Sequence, residues 1–271
     1  MVPAITDAHA RSDSCQMTEL VKLVVSEAVA VVTLDRPKAR NALNRQMLRE
    51  LRAILTETER REDVTVVIVT GSDPAFCAGL DLRELSTPGQ LDLGDLTAAG
   101  CPWPDHRKPW IAAVNGVAIT GGLELALACD FIVASERAAF ADTHARVGIL
   151  PFWGLTSALP QAVGLRSARL MSLTGNFVNA EEAVRWGLVS KVVEHEELLS
   201  TVFDLARDVV SNDQATTRAL MEGYKDASAL PKDEATALER SRAMAWQGQG
   251  FGADRVAARL EAVTQRGRAQ R

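Results

Sequence analysis

The sequence has no excess of positive charge. Lys and Arg total 30 against 35 Asp and Glu, for a net charge of −5, and the pI is near 5.5. This is opposite to the basic footprint of nucleic-acid binders, so DNA and RNA are not expected partners. No run reaches ~18 consecutive apolar residues, so no membrane-spanning helix is expected. Met1 to Leu20 carries Asp7, His9, Arg11, Asp13 and Glu19 with no apolar core of the export type. The four cysteines, Cys15, Cys77, Cys101 and Cys129, form no CxxC pair and have no histidine cluster beside them. Neither a zinc site nor a disulfide framework is therefore suggested, and no flavin motif occurs. A soluble protein of the reducing cytoplasm is the expectation.

What is present is ordinary globular material: 271 residues, 47% hydrophobic and 24% charged, enough for a large core in one or two domains. Val21 to Leu34 reads as a hairpin, two β-branched runs about the polar break Ser26-Glu27-Ala28. Asn44 is placed to cap a helix in which Met47, Leu48, Leu51, Ile54 and Leu55 recur at helical spacing. Val64 to Thr70 is almost unbroken β-branched sequence, as in a strand buried on both faces. Breakers crowd Ser86 to Lys108, which predicts a lid-like loop with one short helix around Leu91 to Ala98. Strands are predicted at Trp110 to Val114 and Phe131 to Ala134, with a helix over Leu123 to Cys129 between them. Beyond Val193 the pattern is helical, at Leu198 to Val210, Gln214 to Ala227 and Ala253 to Arg266.

Chemistry concentrates at two glycine-bearing junctions. Glu124 stands in Leu123-Glu124-Leu125-Ala126-Leu127, apolar on nearly all sides, where an unpaired carboxylate costs several kcal/mol. Such a group pairs, caps a helix, or is tuned for acid/base work. A capping box would need Ser or Thr three residues earlier, and Gly121 is there. Gly121-Gly122 allows close backbone approach at a helix start, where free N–H groups favour an oxyanion, although a tight turn explains it equally well. Phe76-Cys77-Ala78-Gly79-Leu80-Asp81-Leu82 is a second junction of this kind. Two of them can converge two backbone donors on one oxygen.

Asp35-Arg36-Pro37 with Asn41-Ala42-Leu43-Asn44, then Ala78-Gly79-Leu80-Asp81-Leu82, Lys108-Pro109 with Ala112-Ala113-Val114-Asn115-Gly116, Gly121-Gly122-Leu123-Glu124-Leu125 and Cys129-Asp130 follow in order. Together they resemble the enoyl-CoA hydratase/isomerase (crotonase) family over residues 20 to 265. The resemblance implies an α/β spiral of repeated ββα units and a helical C-terminal region that assembles a homotrimer or a dimer of trimers. The corresponding division is a flexible extension at 1–18, the spiral core at 19–194 and the oligomerisation helices at 195–271. An acyl-CoA thioester is the implied ligand, with no cofactor beyond its CoA. The backbone N–H groups of Leu80 and Gly121 would hold the thioester oxygen, and Glu124 would be acid and base. Arg36, Lys38, Arg40, Ala78, Asp81 and Leu82 are the candidates to contact CoA, with salt pairing an equal explanation for the charged ones.

Hydratases of this family usually carry a second glutamate on a later turn. Here the pattern runs through Phe140-Ala141-Asp142-Thr143-His144 and sets His144 at that position. His144 can itself exchange a proton, Asp142 can turn inward in its place, or the two can be a packed histidine and a helix cap. Arg146 is expected to pair with Asp142. Phe152 and Trp153 stand where relatives have small residues, which narrows the acyl site. Hydration of a trans-2-enoyl-CoA is the leading expectation. The alternatives are a 3-enoyl to 2-enoyl isomerase and a non-catalytic acyl-CoA binder.

Overall fold

The structure is a computed structural model and describes residues 14–17, 19–89, 100–248 and 253–269. The short helix expected around Leu91 to Ala98 lies outside the described residues, as do most of the N-terminal residues. Ser14–Met17, inside the expected extension, instead adds strand β1 antiparallel to β2, Val21–Ser26. Backbone pairing of Ser14 with Val25 through Met17 with Lys22 ties it to the sheet edge.

The predicted hairpin is β2 and β3, Val29–Leu34, joined through Glu27 and Ala28 at positive φ of 55° and 62°. That geometry matches the right-handed twist of the paired strands. Helix α1, Arg45–Arg60, starts at Asn44, whose side chain accepts from Met47 N at 2.8 Å, and buries Met47, Leu48, Leu51, Ile54 and Leu55. The chain then repeats one unit. β4 (Val66–Gly71) and β5 (Ala75–Cys77) lead to α2 (Leu82–Leu85). β6 (Trp110–Val114) and β7 (Val117–Ile119) lead to α3 (Gly121–Leu127). β8 (Phe131–Ser135) and β9 (Ala139–Ala141) lead to α4 (His144–Val147). After these come α5 (Leu155–Thr174), β10 (Val178–Asn179), α6 (Ala180–Arg185), β11 (Lys191–Val193) and α7 (Leu198–Val210).

Each repeat gives its first strand to a seven-stranded sheet, β1-β2-β3-β4-β6-β8-β11, and its second to a four-stranded sheet, β10-β9-β7-β5. The pairs β3–β4, β4–β6, β6–β8 and β8–β11 are parallel in the first, as are β5–β7 and β7–β9 in the second. This is the ββα spiral. Strand β4 is buried on both faces, as its β-branched sequence requires. Val67 and Val69 join the core on one side, while Val66 and Ile68 meet Leu198, Val202 and Ala206 of α7 on the other.

That packing moves the expected boundary. The helical region was to begin at 195, yet α7 belongs to the core, and the chain divides into two compact units only after Thr217. Helix α8, Gln214–Ala227, runs across the division. The second unit contains its remainder with α9, Lys232–Gly248, and α10, Ala253–Ala269. Arg242 of α9 pairs with Asp226 of α8. Leu220, Tyr224, Met244, Val256, Leu260 and Val263 are exposed in it.

Turns beyond the strand ends are held by carboxylates. Asp35 pairs with Lys22 and accepts from Ser72 Oγ. Asp73 accepts from Asn115 Nδ2 at 2.9 Å and lies 3.1 Å from His195 Nε2. Asp81 pairs with Arg36 at 2.6 Å. Burial acts to raise all three carboxyls, but these partners outweigh it and hold each below its ordinary value. A folded-state pKa depressed below the unfolded one contributes stability that is present above the unfolded value and lost as pH falls through the folded value. The urea midpoint should therefore fall once pH drops below about 4. An unchanged midpoint well below that value would remove these carboxylates from the stability of the fold.

Candidate active site

The second strands of three successive repeats lie side by side, and each ends in a strand-to-helix junction. β5 runs into Ala78-Gly79-Leu80, β7 into Thr120-Gly121, and β9 into Asp142-Thr143-His144. Ligands of open parallel sheets collect beyond the carboxyl ends of the strands. A pocket lies there, lined by Ala78, Leu80, Gly121, Glu124, His144 and Trp153 among others, with a cavity of about 50 Å³.

The two glycine junctions touch. A Cβ on Gly79, which has φ +87°, would stand 2.1 Å from Thr120 Oγ1, and one on Gly122 would stand 2.1 Å from Cys77 O. Only glycine fits at either place. Thr120 itself has φ 46°, a strained conformation for a β-branched residue, at the cap of α3. Neighbouring bonds run Leu43 N to Gly79 O, Asp81 N to Leu43 O, Thr120 N to Ala141 O and Glu124 N to Thr120 O. They bypass the N–H groups of Leu80 and Gly121, which have no acceptor among the described residues.

Glu124 is 3% exposed. Its Oε1 accepts from Trp153 N at 3.0 Å and Leu155 N at 3.4 Å, so the start of α5 holds it and it does not cap its own helix. Burial pushes its carboxyl above the ordinary range. The Trp153 N–H, His144 and the Leu155 N–H act downward, and the Asp142 charge acts upward. His144 Nε2 lies 3.9 Å from Glu124 Oε2, beyond hydrogen-bond length, while His144 Nδ1 lies 2.6 Å from Asp142 Oδ1. Asp142 also accepts from His144 N at 3.2 Å. Burial would raise the Asp142 carboxyl, but the side chains of His144 and Ser172 with the His144 N–H outweigh it and hold it low. Both Asp142 and His144 turn inward, and Asp142 accepts from the first N–H of α4 as a cap does.

Arg146 does not pair with Asp142. It donates to Thr174 O at 3.1 and 3.2 Å and to Asn176 Oδ1 at 2.7 Å, because α4 presents it to the end of α5. Arg36 and Asp81 spend their charges on each other, and Asp81 also caps α2 by accepting from Arg83 N and Glu84 N. Lys38 and Arg40 are exposed and have no ion pair among the described residues, while Ala78 N donates to Arg40 O at 3.0 Å. Leu82 is half exposed at the pocket edge.

Phe152 and Trp153 form one wall, ring on edge at 4.9 Å, and Trp103 meets Trp153 in the same way at 5.3 Å. The indole N–H of Trp153 is buried with no acceptor among the described residues. The sequence pattern gave no sign of Trp103, nor of the backbone donors that hold Glu124, since a main-chain N–H leaves no mark in residue type. Elsewhere Ser135, His195 and Asp73 line up as hydroxyl, imidazole and carboxylate, with Ser135 Oγ 3.0 Å from His195 Nδ1. Ser135 is fully buried and accepts from Arg137 N, so the row braces the fold and is no nucleophile. Burial also pushes the Cys77 thiol up to about 12, which leaves it inert beneath the site.

A family model described as enoyl-CoA hydratase/isomerase matches residues 25–249. The chain belongs to the enoyl-CoA hydratase/isomerase family. Among its relatives in this family, a probable peroxisomal enoyl-CoA hydratase 1 of Arabidopsis thaliana is 40% identical over 222 residues, 82% of this chain and 84% of that one. A crotonyl-CoA hydratase of Syntrophomonas wolfei is 36% identical over 226 residues, 82% of this chain and 87% of that one. The crystal structure of an enoyl-CoA hydratase from Mycobacterium smegmatis superposes with a TM-score of 0.72 at 44% identity, covering 86% of this chain and all of that one, 100%. Crotonase-family membership accounts for the spiral, in which each repeat delivers one junction to the pocket.

Proposed function

We propose that this chain is an enoyl-CoA hydratase, a hydro-lyase that adds water across the C2=C3 bond of a trans-2-enoyl-CoA thioester. Family membership and relatives named for this activity support the reaction. The observation that carries the residue roles is the 3.9 Å approach of His144 Nε2 to Glu124 Oε2 in the pocket that also presents Leu80 and Gly121.

In this reading the thioester oxygen accepts from Leu80 N and Gly121 N. As the water oxygen bonds to C3, the C2=C3 electron pair moves into an enolate whose charge rests on that oxygen. One such preorganised donor is worth roughly 3 kcal/mol. His144 Nε2 takes the proton that water loses, and the Glu124 carboxyl, kept protonated more readily by its burial, gives a proton to C2. Transfer of the imidazolium proton to the new Glu124 carboxylate restores both groups. A binder without catalysis has no use for a buried carboxylate beside the thioester, and an isomerase needs only one acid/base group.

Lys38 and Arg40, exposed beside Ala78, are placed in this reading against the CoA phosphates, with Ala78 and Leu82 against the adjoining part of the cofactor. Arg36 and Asp81 brace that surface through their mutual pair. No cofactor beyond CoA is invoked. A homotrimer or dimer of trimers is the assembly we favour, and the apolar side chains exposed on α8, α9 and α10 support it. A cytoplasmic site of action is favoured by Cys77, Cys101 and Cys129, which are free thiols. No helix among the described residues is long and apolar enough to cross a membrane.

The test is steady-state hydration of a short and a long trans-2-enoyl-CoA, followed by loss of enoyl-thioester absorbance. Because the cavity is small and walled by Phe152 and Trp153, the short substrate is expected to have the higher kcat/KM. Failure to consume either substrate would overturn the reading.

A further inference from the structure

Three buried side chains stand in one row in this site, and the hydratase reading uses only two of them. Asp142 is 2% exposed and His144 8% exposed. Asp142 Oδ1 receives His144 N at 3.2 Å and contacts His144 Nδ1 at 2.6 Å, so both the main chain and the ring of His144 are fixed by one oxygen. An ionised carboxylate only accepts hydrogen bonds, so the shared proton sits on Nδ1, and the lone pair of a neutral imidazole is left on Nε2. That nitrogen faces Glu124 Oε2 at 3.9 Å.

We infer that Asp142 is the positioning residue of this site, holding His144 as its Nδ1–H tautomer so that Nε2 is the basic atom turned to Glu124 and the pocket. The inference rests on the hydratase reading for its effect on turnover and on geometry alone for the tautomer. It gives the position that carries a second carboxylate in many relatives a two-residue base. Asp142 orients and steadies the ring, and the ring moves the proton. As Nε2 takes a proton from the attacking water, the imidazolium lies between Asp142 and Glu124, and His144 is the one side chain of the three whose protonation changes in that transfer. The titratable groups that face His144 are Asp142 from its own junction and Glu124 from α3. Arg146 on α4 turns to Thr174 and Asn176, and α5 offers Ser172 to Asp142. Arg166 and Arg169 of α5 lie on a separate exposed groove.

Asp142→Asn keeps the shape but loses the charge: with its amide N–H in the place of the oxygen that His144 N and Nδ1 share it forces the ring proton onto Nε2, and with its carbonyl there it accepts from Nδ1–H only as a neutral, weaker partner. The expected result is a fall in kcat for hydration of roughly 10²–10⁴-fold with KM within about threefold, as for loss of the orienting carboxylate in other carboxylate–imidazole pairs. Asp142→Glu should recover part of kcat. Nitrogen NMR of the wild-type protein labelled at its four histidines, with His144 assigned by its loss in His144→Gln, reads the tautomer directly and needs no variant of Asp142 to fold. A protonated Nδ1 and bare Nε2 are expected in the neutral ring.

The opposite tautomer overturns the inference, as does an Asp142→Asn enzyme with the wild-type kcat. If Glu124→Gln abolishes hydration while Asp142→Asn does not, the hydratase reading stands and the inference falls. If the wild-type protein hydrates no enoyl-CoA, that reading falls and the tautomer alone decides the inference.

Discussion

Glu124→Gln is expected to lower kcat for enoyl-CoA hydration by roughly 10²–10⁴-fold, the usual worth of a positioned acid or base. The amide can still accept from Trp153 N and Leu155 N, the bonds that orient the carboxylate, so substrate binding should change little and KM should stay within about threefold. The sign of the stability effect is also determined. Burial raises the Glu124 pKa in the folded state, so its contribution to stability is fully present below the unfolded value near ~4.3 and is lost as pH rises through the folded value. The variant carries no charge to bury, and its Tm should equal or exceed that of the wild type, by more at higher pH. Unchanged turnover in the variant would remove Glu124 from the chemistry, whatever the Tm does.

Gly122→Ala should produce the largest loss of stability of any single methyl added to α3. Alanine ordinarily favours a helix over glycine by about 1 kcal/mol. Here the new Cβ would stand 2.1 Å from Cys77 O and 2.8 Å from Cys77 Cβ, and a backbone carbonyl in a fully buried strand end has nowhere to go. Overpacking of this kind costs up to about 3 kcal/mol or more, which exceeds the propensity gain. A Tm fall of roughly 4–12 °C is the corresponding reading for a core of this size. Any shift of α3 that relieves the contact also displaces Gly121 N and Glu124, so hydration should fall with stability. Gly267→Ala is the matched control, since nothing lies within 4 Å of a Cβ there and the residue is helical. If Gly122→Ala matched Gly267→Ala in Tm, the close approach of α3 to β5 would be wrong.

The hairpin at Val21 to Leu34, the Asn44 cap and the helices at Leu198 to Val210 and Gln214 to Ala227 were legible because local patterns determine them. The division of the chain was not. Helix α7 carries the same apolar spacing as the helices after it, and only the partner surface on β4, β6 and β8 distinguishes a core helix from one beyond Thr217. Strand β1 was missed for a similar reason, since an edge strand of four residues has little pattern of its own.

In the site, Glu124 was conspicuous as a charge in an apolar helix, and the glycines marked the junctions. Arg36 and Asp81, 45 residues apart, gave no sign that they would pair with each other. Asp142 left several readings open because its meaning depends on which way one turn faces. The 2.6 Å contact with His144 shows that the turn sets the two side chains against each other.

The spiral also gives the site a division of labour. In the proposed reading the β5 and β7 junctions contribute main-chain donors, from Leu80 and Gly121, and the β9 junction contributes side chains. On that reading the β9 repeat carries an imidazole with its own carboxylate support, while the part of the scaffold proposed to hold the substrate's carbonyl belongs to the other two repeats. Carbonyl recognition and proton transfer would then rest on different turns of the spiral, so a change of side chain at the β9 junction need not move the main-chain donors.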